Sequence, residues 1–543
     1  MREQDLVMGK NHTIIHRKNL RQSILTGVLG LLGLVGILNC VGCQAFRKIP
    51  KTGQQRREGI KPELATLVDK FRTSTPKSMK KHKIPGCALA LVDDKGVLWT
   101  EGFGTTDFKR KIPVTPDTLF YIGSISKTFT AVAVLIAVQD GLLDLDEPIT
   151  TYLPDFKVYS RYEERPASKI TLRHLLSHTS GLPREAPGCN MVEFEGNTLE
   201  DRYRSIEGLW LQYPTGRACL YSNAGFDLAA YVLQAVSGIP FEQYMKKHVF
   251  RPLGMHNSTL DRDKIKSDTN RAVGHTIGIV PSPTPPDHGL LGSGGVWTDA
   301  RDLARFIQYF LNTQSPEGKQ TLSESWLEVM LTPHARISSE EEVYCGLGIG
   351  INRTSGWTEM RHGGGGLGQT SWMYWCPKYG IGGLVLTNKM PLSDIRDMAI
   401  GQKLLREGRL RERFAESEFD YNRCIAPWTT WSGHTPSQYK SEWKKYCGKY
   451  DLKFGGFKLK WWAKLVLSLD SDPFMPRIKV SEKDGYLCLR ESWLFEAFSA
   501  VNDRQVNARL MEAQSGVFYT ASGDVLNFKG RDPTWRSYRF KKR

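Results

Sequence analysis

The sequence predicts an α/β (α+β) region over residues 63–410 followed by a separate β-rich region over residues 431–543. Three observations carry this expectation. Thr128–Val138 is almost wholly apolar and ends at Asp140-Gly141, the pattern of a buried helix with a stop signal. Gln369–Trp375 has strand character and follows a run of glycines. Across 411–430 a charged, helical pattern gives way to Trp428, Trp431 and Ser432-Gly433, and then to short β-rich runs separated by turns. A chain of 543 residues is also too long for one ordinary core, so two domains plus an N-terminal segment fit it best.

The N-terminal segment divides by charge into a basic stretch, 1–23, an apolar stretch, 24–43, and a basic linker, 44–62. Ile24–Cys43 carries no charge and is long enough to span a bilayer. With Arg17, Lys18 and Arg21 in front of it, it reads as a single-pass signal-anchor, placing the following domain outside the cell or in a lumen. Arg47, Lys48, Lys51, Arg56 and Arg57 make the far flank basic too, so the positive-inside rule decides orientation poorly. Cleavage after Ala45, giving a secreted chain, and lipidation at Cys40 or Cys43 are the alternatives. The net charge of +17 invites a nucleic-acid partner, but residues 63–430 contain 42 basic and 42 acidic residues. The excess therefore lies at the two ends. A nucleic-acid role is not expected, whereas the basic N-terminus suits anionic lipid headgroups.

Within 63–410, Gly123-Ser124-Ile125-Ser126-Lys127 places a hydroxyl and an amine three residues apart at a helix start, where the two side chains can touch. A serine needs a neighbouring base to become a nucleophile, and a lysine in its amine form is such a base. The unpaired N–H groups of the helix start suit an oxyanion beside Ser124. Tyr221-Ser222-Asn223 precedes an apolar helical pattern from Phe226 to Val236, and His362-Gly363-Gly364-Gly365 leads into the strand at 369–375.

Ser-x-x-Lys, Tyr-x-Asn and His-x-Gly in this order resemble the serine β-lactamase-like and penicillin-binding family, in particular its class C branch and the animal β-lactamase-like proteins. The stretches Leu176–Pro183, Pro252–Met255 and Gly294–Trp297 followed by Ala300–Ala304 resemble it as well. The resemblance implies an antiparallel sheet flanked by helices with an all-helical subdomain. It implies Ser124 as the acylated nucleophile, Lys127 as its base and Tyr221 as the second acid/base. Asn223 would orient Lys127 and hold a substrate amide, His362 and Gly364 would line the substrate, and the backbone N–H groups of Ser124 and Gly365 would form the oxyanion hole. No metal or cofactor is implied. His178 and Ser180 resemble triad members, but the family's corresponding turn supports the site. Taken singly, Tyr221 could be a packed aromatic, Asn223 a helix N-cap, His362 a strand-end residue and the glycine run a loop.

One departure stands out. Family members specialised for β-lactams commonly carry lysine where this chain has His362, and a histidine is mostly neutral at pH 7. Esters and amides, peptides included, are therefore the expected substrates, with strong β-lactamase activity in doubt. The competing expectation is a catalytically silent binding or scaffolding protein on the same fold. Oligomeric state is not legible.

Of the ten cysteines, Cys40 and Cys43 lie in the apolar stretch and eight follow it, an even number compatible with an oxidising compartment and without zinc-site spacing. Sequons at Asn257 and Asn352 would be usable by glycosylation there. Pro281–Pro286 reads as a loop. In 431–543, the runs Lys458–Trp462, Tyr486–Leu489, Gly516–Tyr519 and Val525–Phe528 predict an antiparallel, barrel-like β domain.

Overall fold

β1 (Gly86–Asp93) is buried along almost its whole length, because it lies inside an antiparallel sheet covered by helices. The computed structural model describes residues 62–109, 111–186, 198–275, 289–312, 321–337, 342–353 and 358–389, and, further on, 441–452, 477–483, 486–491, 508–509, 511–514, 517–519, 525–527, 534–535 and 538–542. The compact unit holding all of these begins at Pro62. The expected N-terminal segment before it, the linker 411–430 and Trp461-Trp462 lie outside the described residues.

The sheet has eight strands. β3 (Phe120–Tyr121) and β4 (Trp297–Thr298) pair with each other outside it; with β2 (Gly96–Gly104), β5 (Ala335–Arg336), β6 (Val343–Cys345), β7 (Gly350–Asn352), β8 (Glu359–Gly366), β9 (Gln369–Cys376) and β10 (Ile381–Thr387), the order is β2-β1-β10-β9-β8-β7-β6-β5. Helix α1 (Pro62–His82) reaches β2, where Phe71 stacks on Trp99 at 5.5 Å. The strongly amphipathic helix Ala300–Asn312 lies across β1, β2, β9 and β10, and its Phe310 stacks on Trp375 at 4.6 Å. Burying such aromatic pairs stabilises the sandwich by about 0.5–1.5 kcal/mol per pair beyond the area term.

The helical layer is built around α2 (Ser126–Gln139) and the helix Asn223–Ser237. From Ser126 to Ala137 every residue of α2 is buried, as its apolar sequence requires. Asp140 caps its C-terminus, where the sequence signals a stop. Asn223–Ser237 packs on α2, on Leu172–Leu176, on Leu199–Ile206 and on Leu291–Gly294, and ends at Gly238 in the left-handed region, φ +66°. Its N-cap is Ser222 and not Asn223: Ser222 Oγ accepts from Gly225 N at 2.9 Å and donates to Pro183 O at 2.7 Å. The side chain of Asn223 is thereby released for other contacts.

The glycine run is not a loop. Gly363 to Gly366 form the end of β8, paired in register with Gln369–Trp372. In the C-terminal part the described strands form a nine-stranded antiparallel ladder that shares no strand with the first sheet. Its terminal members, Ala508–Arg509 and Met511–Gln514, are neighbours in the chain. Val480, Leu487 and Leu489 are buried there, with Val480 opposite Leu489. Among the described residues no single helix is long and apolar enough to cross a membrane. Of the sequons at Asn257 and Asn352, the latter is 7% exposed within β7, so it has no room for a glycan in the folded chain. The Asn257 amide donates to Asp299 Oδ2 at 2.8 Å.

Candidate active site

Gly123–Ile125 forms a tight 3₁₀ turn that runs into α2, so Ser124 stands at the mouth of the helix, half-buried, while Lys127 is fully buried one turn on. Gly123 sits at φ +50°, and a Cβ there would come within 2.7 Å of Gly365 N. A Cβ on Gly364 would lie 1.9 Å from Ile122 O and 2.9 Å from Ser124 N. Only glycine allows this approach, which brings the backbone of Ser124 against that of β8. Ser371 on β9 fixes the same contact from behind, its Oγ donating to Ile122 O at 2.7 Å. Gly364, expected to line the substrate, is buried in this packing, and the exposed glycine of the strand is Gly365. The backbone nitrogens of Ser124 and Gly365 both lie in this close contact between the turn and β8.

Lys127 Nζ lies 3.3 Å from Ser124 Oγ and donates to Ser293 O at 2.7 Å. It also sits 4.8 Å from the ring centroid of Tyr221 and 5.7 Å from that of Phe226. Tyr221 faces a second cation, with the Arg184 guanidinium 5.0 Å from its ring. Ser124, Lys127 and Tyr221 are therefore gathered at one place. An amine touching a hydroxyl can exchange its proton, and a phenol across from both can serve a leaving group.

His178 supports the tyrosine loop. Held at φ +62°, it accepts from Ser222 N at Nδ1 (3.0 Å), accepts from Leu220 N at its carbonyl (2.8 Å), and packs against the Tyr221 ring at a tilt, 4.5 Å between centroids. Burial, then the charge of Lys127, holds its imidazole well below the ordinary histidine range. It is a neutral spacer. Ser180 Oγ accepts from Leu182 N within the same turn.

His362, on β8, is half-buried, and its Nδ1 lies 2.8 Å from Gly363 O. Burial and the Lys127 charge push its pKa down to about 4. It is uncharged at neutral pH.

Asn223 departs from expectation. Its Nδ2 donates to Glu185 Oε1, and its Oδ1 is buried with no partner. The acceptor holding Lys127 is instead the Ser293 carbonyl, which the sequence did not single out. Behind it lies a charged cluster. Asp227 accepts from Ser293 N (2.8 Å) and Ser293 Oγ (3.0 Å), and Arg202 bridges Asp227 (2.8 Å) and Glu185 (2.9 Å). One guanidinium thus ties together the residue that holds Lys127 and the residue that holds Asn223. Burial raises the Asp227 carboxyl against the pull of Arg202. For Arg202 burial works against the charge, but Asp227 and Glu185 outweigh it and raise the guanidinium. Among the described residues no group of three His, Cys, Asp or Glu is arranged to hold a metal ion.

A family model described as "Beta-lactamase" matches residues 69–406. Protein flp of Staphylococcus aureus strain MW2 is 31% identical over 238 residues, 43% of this chain and 47% of that protein. A putative penicillin-binding protein, PbpX of Bacillus subtilis, is 31% identical over 258 residues, 47% of this chain and 60% of its own length. The chain thus spans about half the length of the curated relatives it matches. An octameric penicillin-binding protein homologue from Pyrococcus abyssi shares the fold at 23% identity and a TM-score of 0.56, covering 87% of this chain and 99% of that one. A beta-lactamase/D-alanine carboxypeptidase from Yersinia pestis, solved with citrate, aligns at 26% identity and a TM-score of 0.53, covering 63% of this chain and 98% of its own. With its antiparallel sheet flanked by helices and a matched segment of more than half its length, the chain belongs to the beta-lactamase family of serine hydrolases and DD-peptidases.

Proposed function

We propose that this chain is a membrane-anchored serine hydrolase that cleaves an ester or amide, peptides included, through an acyl-enzyme on Ser124. The observation that carries the reading is the 3.3 Å approach of Lys127 Nζ to Ser124 Oγ under the Tyr221 ring. Lys127 in its amine form takes the hydroxyl proton as Ser124 attacks the carbonyl. The N–H groups of Ser124 and Gly365 receive the oxyanion, a contribution of about 3–4 kcal/mol per donor in comparable sites. Tyr221 passes a proton to the leaving group and then activates the water that releases the acyl chain. Asn223 Oδ1, buried and without a partner, is suited to an N–H donor such as a substrate amide.

Substrate preference follows from His362. A neutral imidazole gains little from a substrate carboxylate, where a charge-assisted hydrogen bond would add about 1.5–3 kcal/mol. Uncharged p-nitrophenyl acyl esters should therefore be hydrolysed with higher kcat/KM than nitrocefin, and His362→Lys should shift the ratio toward nitrocefin by about tenfold or more. An unchanged ratio in a folded variant rejects His362 as a substrate contact, and faster nitrocefin turnover by the native chain rejects the preference. The anchor rests on the uncharged stretch Ile24–Cys43. The full chain should remain in the pellet after alkaline carbonate extraction; recovery in the supernatant of a chain starting after Ala45 overturns this.

A further inference from the structure

Cys219 lies two residues before Tyr221, and Cys345 ends β6, 126 residues further along the chain; their Sγ atoms are 3.2 Å apart. That is about 1 Å outside bonding distance. We propose that Cys219 and Cys345 form a redox modification site, an intramolecular disulfide made by exchange with a small disulfide such as oxidised glutathione.

Each side of this pair is already tied to the site. From Cys345 the chain enters the turn Gly346–Ile349, where Gly348 O accepts from Thr128 Oγ1 of α2 at 2.7 Å and Gly348 N donates to Leu176 O at 2.9 Å. From Cys219 it runs directly into Leu220, Tyr221 and Ser222, held by His178. A bond between the sulfurs therefore staples the segment bearing Tyr221 to the turn that seats the nucleophile helix. The order of steps follows from exposure, for Cys219 is only partly buried and Cys345 is 6% exposed. The Cys219 thiol gives up its proton, attacks one sulfur of the small disulfide and expels one thiolate, which takes up a proton. Cys345 then loses its proton and attacks Cys219 Sγ, expelling the second small thiol. The two cysteines together lose two electrons and two protons, and the small disulfide is reduced to two thiols. The hydrogen bond to Cys219, together with burial, raises the Cys345 thiol well above its ordinary range, which keeps it a thiol until Cys219 has reacted.

The cross-link is read without reference to activity, so it stands or falls separately from the proposed hydrolysis. The purified full chain is equilibrated in glutathione buffers of increasing oxidised fraction. Free thiols are then trapped with N-ethylmaleimide in denaturant, and the digest is analysed by mass spectrometry. The expected result is a linked peptide pair containing Cys219 and Cys345 that disappears on reduction, with the thermal midpoint of the oxidised chain higher by about 3–8 °C. In Cys219→Ser the link should vanish and Cys345 should be alkylated. Full alkylation of both cysteines in the most oxidising buffer, or pairing of either with another cysteine, overturns the proposal and leaves the contact as that of two thiols. Because the native chain alone decides between these results, a variant that failed to fold would not matter.

Discussion

Lys127 and Arg202 are both basic side chains with no exposed surface, and Ser293 and Asp227 link them. Arg202 meets two carboxylates, Glu185 and Asp227, each at hydrogen-bonding distance, and its charge is matched on the spot. Lys127 meets a hydroxyl, a carbonyl and two ring faces, and forms no ion pair among the described residues. A guanidinium clamped by two carboxylates cannot give up its proton and is a fixture. An amine held by neutral acceptors can trade a proton with the hydroxyl it touches. On the proposed mechanism, charge is locked behind the site while protons move in front of it.

Matched substitutions break or sharpen this contrast most strongly. Arg202→Met leaves Glu185 and Asp227 buried without a counter-charge and should cost about 3–5 kcal/mol of stability, measured by denaturant unfolding. Lys127→Met strands no carboxylate of its own, so it should cost much less, yet it should slow acylation by about 10²–10⁴-fold. Where Arg202→Met can still be assayed, kcat should fall by up to about 100-fold through misplacement of Lys127 and Asn223. Arg202→Lys should not restore it, since a single ammonium cannot reproduce the fork. Equal stability losses in the two methionine variants would erase the distinction between fixture and base.

A smaller effect concerns pH. His362 binds a proton in the unfolded chain near the ordinary 6.5 but resists it when folded, because burial and Lys127 hold its pKa at about 4. Its contribution to stability is therefore complete above about pH 6.5 and drains away as pH falls toward 4. Asp299 acts in the opposite sense, since burial and Asp302 push its carboxyl up to about 7. Comparison with His362→Gln isolates the histidine. The thermal midpoint of the native chain should fall relative to the variant between pH 6.5 and pH 4, and parallel curves would contradict the neutral assignment.

The sequence made the front of the site legible and hid its back. Ser124, Lys127, Tyr221, Asn223 and His362 sit in three short motifs, each readable from spacing within a few residues. Glu185, Arg202, Asp227 and Ser293 are scattered across more than a hundred residues and meet only through tertiary packing, so no local pattern announces them. The same separation hid the pairing of Cys219 with Cys345. The N-cap slipped by one residue because serine and asparagine are equally good caps, and only the Pro183 carbonyl selects Ser222. The glycine run carries no alternation of side chains, so its place as the end of β8 follows from the ladder with β9 and not from its own composition. Gly364 belongs to the packing and not to the substrate face, because strand alternation turns its Cβ direction into Ile122.

The central claim, that Ser124 is the nucleophile and Lys127 its base, is tested most directly by labelling the full chain with a fluorophosphonate probe and mapping the adduct by mass spectrometry. The predicted result is a single phosphonylated site at Ser124, absent in Ser124→Ala and formed orders of magnitude more slowly in Lys127→Met. An adduct on another residue, or undiminished labelling in the folded Ser124→Ala chain, would contradict it.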